Sequence, residues 1–192
     1  MNETQIIRSQ LAAEQSHAAE VVNACAAVFG SRDSAAQPTA SFREACVSYL
    51  VWVLARFEER DQTLTELLAS RQPMADGPGG AALRQLGTLI SRTGTSREAL
   101  SRLETAFAAD DSAAARDHWQ EFARFFESAW APRRAALDAA LAEYLSVADW
   151  RAVCAIDADS ILDERNGYAR VMAELPAGIA LHRSAPPHGP RS

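Results

Sequence analysis

Apolar residues recur at gaps of three and four along almost the whole chain, a spacing that predicts helices and no β-strand. A first stripe of Ile7, Leu11, Ala18, Val21, Cys25 and Val28 predicts a helix over about 3–29, ended by Gly30. A loop over 31–39 containing Pro38 follows. The second stripe, Phe42, Cys46, Leu50, Leu54, Phe57, Leu64 and Leu68, predicts a helix over about 41–70. Its centre, Tyr49 to Phe57, is apolar nearly all round except Arg56, so it is expected to be the most buried element. Gln72–Gly80 carries two prolines and three glycines and predicts a loop, with a short helix over 81–91 beyond it. Another helix is expected from about Ser96 to the Ala109-Asp110-Asp111 break, with Leu100, Leu103 and Phe107 inward.

Ser112 is then expected to cap a helix bearing Trp119, Phe122, Phe126, Trp130, Leu137, Leu141 and Tyr144. Pro132 removes a backbone donor inside that pattern, which predicts a kink near Ala129. Ser146 and Asp149 have capping-box spacing, with Asp in place of Glu, and open a last helix. That helix uses Trp150, Cys154, Ile161, Tyr168 and Val171, pauses at Asn166-Gly167 and stops before Pro176. The reading is all-α: an antiparallel four-helix bundle with an additional C-terminal helix, one domain over 1–175. A tail over 176–192 is expected to be disordered.

Composition narrows what such a bundle does. All nineteen basic residues are arginine, which fits a GC-rich genome and excludes a lysine Schiff base. A net charge of −6 without a basic run gives nucleic acid and anionic membranes nothing to bind. The longest strongly apolar run, Tyr49–Ala55, falls far short of a membrane span. The opening MNETQIIRSQ lacks a signal pattern, so the chain is expected in the cytoplasm. Cys25, Cys46 and Cys154 are odd in number, lie far apart within helical patterns, and read as buried reduced thiols. A homodimer is compatible with the sequence.

Three stretches, QLAAEQSHAAEVV, YLVWVLARFEERDQTL and SRLETAFAADDSAAARDHWQEFARFFESAW, carry a family likeness. Over roughly 5–145 the chain resembles the hemerythrin-like (HHE cation-binding) bundle family. The resemblance implies four helices around a non-haem di-iron centre held by histidines and carboxylates. The family's first-helix histidine matches His17. Its second-helix His-x-x-x-Glu falls at Val53 and Phe57, its third-helix histidines at Thr93 and Arg97, and its fourth-helix pair at Trp130 and Arg134. Only His17 survives, so the resemblance supports the fold and argues against the family's oxygen chemistry.

Charged residues interrupting the apolar stripes give an independent set of candidates, because a buried charge must be paired, protonated or metal-bound. These are Glu14 and His17, Asp61 with Glu58 at its edge, Arg133, and Asp157 and Glu164. Glu14-x-x-His17 is either an ordinary i,i+3 surface pair or part of an acid-rich metal site. In the dense acidic segment around Asp157–Glu164, one reading is a solvated face whose carboxylates pair Arg133, Arg134 or Arg165. The other places Asp157 and Glu164 in a pocket with Trp130, Trp150 and Tyr168.

Three functions follow. The preferred one is a metal-free bundle without cofactor, binding a small organic molecule and performing acid–base chemistry. In it His17 is the base, Glu14 orients it, and Val53, Phe57, Asp61, Trp130, Arg133, Asp157 and Glu164 line the pocket. The second retains non-haem iron for dioxygen or nitric oxide chemistry. The third is an interaction protein with an exposed Trp150, Ile161 and Tyr168 patch.

Overall fold

The computed structural model describes residues 3–30, 38–71, 78–143, 146–154, 158–177 and 179. Within them the side chains of 3, 4, 7, 8, 30, 71, 78–82, 129–143 and 158 are excepted. The described residues form α1 (Glu3–Gly30), α2 (Ala40–Arg71), α3 (Pro78–Ala108), α4 (Ser112–Glu143), α5 (Val147–Cys154) and α6 (Ala158–Ala173), with no strand among them. The chain is all-helical. No helix among the described residues is long and apolar enough to cross a membrane.

Two boundaries differ from those expected. The short helix at 81–91 and the helix from Ser96 are one element, α3, 31 residues long. The polar run that reads as a break is absorbed because its hydroxyls turn inward on the helix itself. Thr93, Thr95 and Ser96 donate to the carbonyls of Leu89, Ser91 and Arg92, one turn back. Conversely, the expected last helix is two. α5 is described to Cys154 and α6 from Ala158, whereas Asn166 and Gly167 lie inside α6. Pro132 does not end α4, which continues to Glu143.

The helix ends are built by short polar side chains. Asp111, and not Ser112, caps α4: its Oδ1 accepts from the N–H groups of Ala113 and Ala114 at 3.1 and 3.0 Å. Just before it, Asp110 is left-handed at φ 57°. The N–H of Asp111 reaches the carbonyl of Ala106 and that of Asp110 reaches Phe107, a Schellman closure of α3. The expected capping box opens α5. The Ser146 N–H donates to Asp149 Oδ2 at 2.7 Å and the Asp149 N–H to Ser146 Oγ at 3.3 Å. Thr39 Oγ1 accepts from the Phe42 N–H at the start of α2.

α3 and α4 share the most extensive interface, followed by α2 and α3. Cross-links give the directions. Arg92 donates to the Ser128 carbonyl and Arg102 pairs with Glu121, so α3 and α4 run oppositely. Arg97 with Glu58 and Arg43 with Asp110 show the same for α2 and α3. α5 and α6 each pack on both α1 and α2, which make few direct contacts with one another. The main core draws Val21, Cys25, Leu50, Val53, Leu100, Phe122 and their neighbours from five helices. A smaller cluster of Leu64, Leu68, Leu86, Leu89 and Val153 fills the space between α2, α3 and α5. Leu175 and Ile179 also pack on the main core, so the apolar covering extends past Pro176.

Candidate functional site

Three helical lines converge beside the core. On α1 the line is Gln10, Glu14, His17 and Val21; on α2 it is Tyr49, Val53, Arg56 and Arg60; on α6 it is Ile161, Glu164, Tyr168 and Val171. Spacings of three and four keep each set on one face. The lines meet because α6 lies against both α1 and α2.

Glu164 is the hub. Its carboxylate lies 2.9 and 3.0 Å from His17 Nδ1, and the Tyr49 hydroxyl donates to Oε1 at 2.7 Å. The glutamate side chain is 8 % exposed and the imidazole 26 %, so the acid is interior and the base sits at the rim. Burial, followed by the hydrogen bond to this carboxylate, pushes the Tyr49 phenol far above its ordinary range, keeping it a proton donor. The His17 ring stacks on Tyr168, centroids 4.1 Å apart and planes 15° apart. The Tyr168 hydroxyl in turn donates to Glu20. Ring position and ring plane are therefore both fixed.

Glu14 has a different partner from the one expected. Arg60 grips its carboxylate with two bonds, Nη1 to Oε1 at 2.8 Å and Nη2 to Oε2 at 2.7 Å. Both side chains are about nine-tenths buried, at 10 % and 9 % exposure. Glu14 thus does not orient His17; Glu164 does. Arg60 Nε and Arg56 Nη2 also both donate to the carbonyl of Cys154, the last residue of α5. Arg56 lies over the Trp52 ring at 5.6 Å.

Beside this network opens a cavity of about 300 Å³. Glu14 and His17 from α1, Arg56 from α2, and Glu164 and Arg165 from α6 form its charged wall. Ala13 and Ile161 supply the apolar part, with Gln10 and Ser160 completing it. The side-chain oxygen of Gln10 is buried and has no hydrogen-bond partner among the described residues. His17 Nε2 likewise bonds to none of them.

The remaining predicted residues lie elsewhere. Val53 and Phe57 are core residues, fully buried and not on this cavity's wall. Asp61 is buried at 1 % exposure beside a crevice of about 20 Å³ that Phe57, Trp150 and Cys154 also line, room for a water molecule and no more. The side chains of Trp130 and Arg133 lie outside the described ones, as does Asp157 altogether. Trp150 is buried and Tyr168 packs on the core, so the apolar patch expected of an interaction surface is covered.

Arg60, Tyr49 and Glu20 belong to the site without standing among the candidates the sequence offers. Arg56 and Arg60, four apart on one face of α2, were the available signal for a buried cationic edge. The donor set does not suit a di-iron centre. The α2 positions where the hemerythrin-like resemblance would put ligands hold Val53 and Phe57, the Thr93 hydroxyl is turned onto Leu89, and a guanidinium occupies the Glu14 carboxylate. No group of three or more His, Cys, Asp or Glu among the described residues is placed to hold a metal ion. No family model, curated protein or solved structure matches the chain.

Proposed function

We propose that this chain binds a small organic molecule in the 300 Å³ cavity and that His17 acts on it as a general base. The frame proposed is the hemerythrin-like antiparallel four-helix bundle, with α6 inserted beside it and no metal. Supporting that frame are the opposed directions of α2, α3 and α4. One observation carries the function: a carboxylate-backed imidazole on the wall of a ligand-sized cavity.

The chemistry follows from which ring nitrogen is occupied. Glu164 holds Nδ1, so in the neutral ring the proton resides there and the Nε2 lone pair is available. When Nε2 takes a proton, the imidazolium formed is stabilised by the carboxylate 2.9 Å away. Tyr49 holds that carboxylate in place, and the Tyr168 stack fixes the ring plane. Such prior ordering is what a positioned base needs, since little reorganisation then remains at the moment of transfer. The unsatisfied Gln10 oxygen costs about 1–3 kcal/mol in isolation, a cost that a ligand donor would relieve.

Fragment screening of the full chain by protein-observed NMR tests this reading. Bound fragments are expected to shift resonances of His17, Gln10 and Ile161. His17→Gln should weaken fragments bearing a hydrogen-bond donor by about tenfold, or roughly 1.4 kcal/mol, while the circular dichroism spectrum is retained. A library that leaves the cavity resonances unmoved would refute the proposal.

A further inference from the structure

The two halves of α6 are held to the bundle by different means. Beyond Gly167 the anchors are largely apolar. Val171 is fully buried, and Tyr168, Met172 and, just past the helix, Leu175 pack on the main core. Two cross-links to α2 add to them, Arg170 to Glu44 at 2.8 Å and the Ser41 hydroxyl to Glu174 Oε2 at 2.6 Å. The first two turns, 158–165, lack such anchors. No apolar side chain described there joins either core cluster; Ile161 is half-buried and Leu162 is 56 % exposed. Their one buried side chain among those described is Glu164, which takes the Tyr49 hydroxyl from α2 and His17 Nδ1 from α1. Between the halves stand Asn166 and Gly167, each a weaker helix former than alanine. Apolar anchors lose their stabilisation outright on exposure, whereas a released carboxylate regains hydrogen bonds from water.

We propose that residues 158–165 form a door on the cavity, opening about Asn166-Gly167 while the second half of α6 stays docked, with Glu164 as the latch. The door carries everything that α6 gives the cavity wall: Ser160, Ile161, Glu164 and Arg165. Opening therefore removes the third wall and takes the carboxylate from behind His17 in one movement. What this does for catalysis rests on the function proposed above. A ligand touching Ser160 and Ile161 binds the closed state better, and so holds Glu164 against His17. The base is then completed by the molecule on which it acts.

The opening itself needs no ligand, and native-state hydrogen exchange of the full chain, followed by NMR in rising sub-denaturing urea, tests it. The amides of Leu162, Glu164 and Arg165 bond to carbonyls of the first turn and report the door; Val171 and Met172 report the docked half. The door amides should exchange about tenfold more readily, through an opening that urea scarcely promotes. Tyr49→Phe keeps the ring beside Gly167 and removes the hydroxyl from the latch. It should speed the door amides about tenfold further and leave Val171 and Met172 unchanged. His17→Ala should speed the same amides from the α1 side, whereas Ser41→Ala, which cuts a tie at the far end of α6, should not. Ordinary fraying of a helix end is blind to Tyr49, so door amides indifferent to Tyr49→Phe would overturn the proposal. So would a Tyr49→Phe chain whose two halves loosen together, or a parent in which all these amides exchange through one opening. Silence in the fragment screen would refute the cavity reading alone.

Discussion

Glu14 and Arg60 form the most deeply buried ion pair of the site, and its worth depends on both members being present. Two desolvated charges gain little over a well-packed apolar pair, but one left alone is strongly unfavourable. Arg60→Met should therefore cost roughly 3–5 kcal/mol, and the Glu14→Leu/Arg60→Met double variant should recover most of it. Urea denaturation of the two variants and the parent checks this; equal losses in single and double variants would contradict it. The candidate charges themselves were legible from the sequence, since Glu14, His17, Asp61 and Glu164 stand on apolar stripes and all but His17 are buried. Their partners were not. Helical spacing tells which face a residue occupies, but which helix lies opposite is decided by tertiary packing. Hence Glu14 went to Arg60 and His17 to Glu164, 147 positions away.

Helix ends read more reliably than helix interiors. The box at Ser146 and Asp149 formed as its spacing required, because both partners sit within one turn. At the α3–α4 turn the same local logic moved by one residue, to Asp111. Asp111→Ala should cost about 1 kcal/mol through loss of the cap. Asp110→Gly should be neutral to slightly stabilising. It relieves a left-handed non-glycine residue at a cost of order 1 kcal/mol, and it forfeits only the exposed pair with Arg43. Thermal melts of both variants decide the signs. Within α3 the polar run failed as a break, since Thr and Ser can satisfy their hydroxyls on the preceding turn. Gly167 misled in the opposite direction. It marks close approach, because a Cβ there would lie 3.0 Å from Tyr49 Cδ2. Gly167→Ala should thus lack the gain of about 1 kcal/mol that the exchange brings in an open helix, and melts can show whether it does.

For the molecule as a whole, the helical class and most of the core were legible, because the apolar repeat covers nearly every described segment. The insertion of α5 and α6 between α1 and α2 was not, since the amphipathic pattern of a terminal helix does not say where it docks. That packing also shields the thiols. Cys25, Cys46 and Cys154 are all buried and free. Burial raises the Cys154 thiol to about 11 from 9.0, and burial with Cys46 beside it pushes Cys25 well above the ordinary thiol range. A disulfide exchange reagent at neutral pH should therefore label none of the three in the native chain, and all of them in urea. Between pH 9.0 and about 11 the unfolded chain loses a Cys154 proton that the native chain retains. That contribution to stability is complete below the lower value and disappears as pH climbs through the upper one, and Tyr49 extends the same trend above pH 10.0. Urea midpoints from about pH 8 to about pH 10.5 should fall, and fall less in Cys154→Ala.

The position of α6 sets a timetable for synthesis. At about 5–20 residues per second, His17 leaves the ribosome roughly 7–30 s before the glutamate that orients it, 147 positions later. Until then an unfinished chain owns an imidazole with no carboxylate behind it and no third wall around it. On the proposed function, a fragment that stops short of Glu164 should therefore be inert.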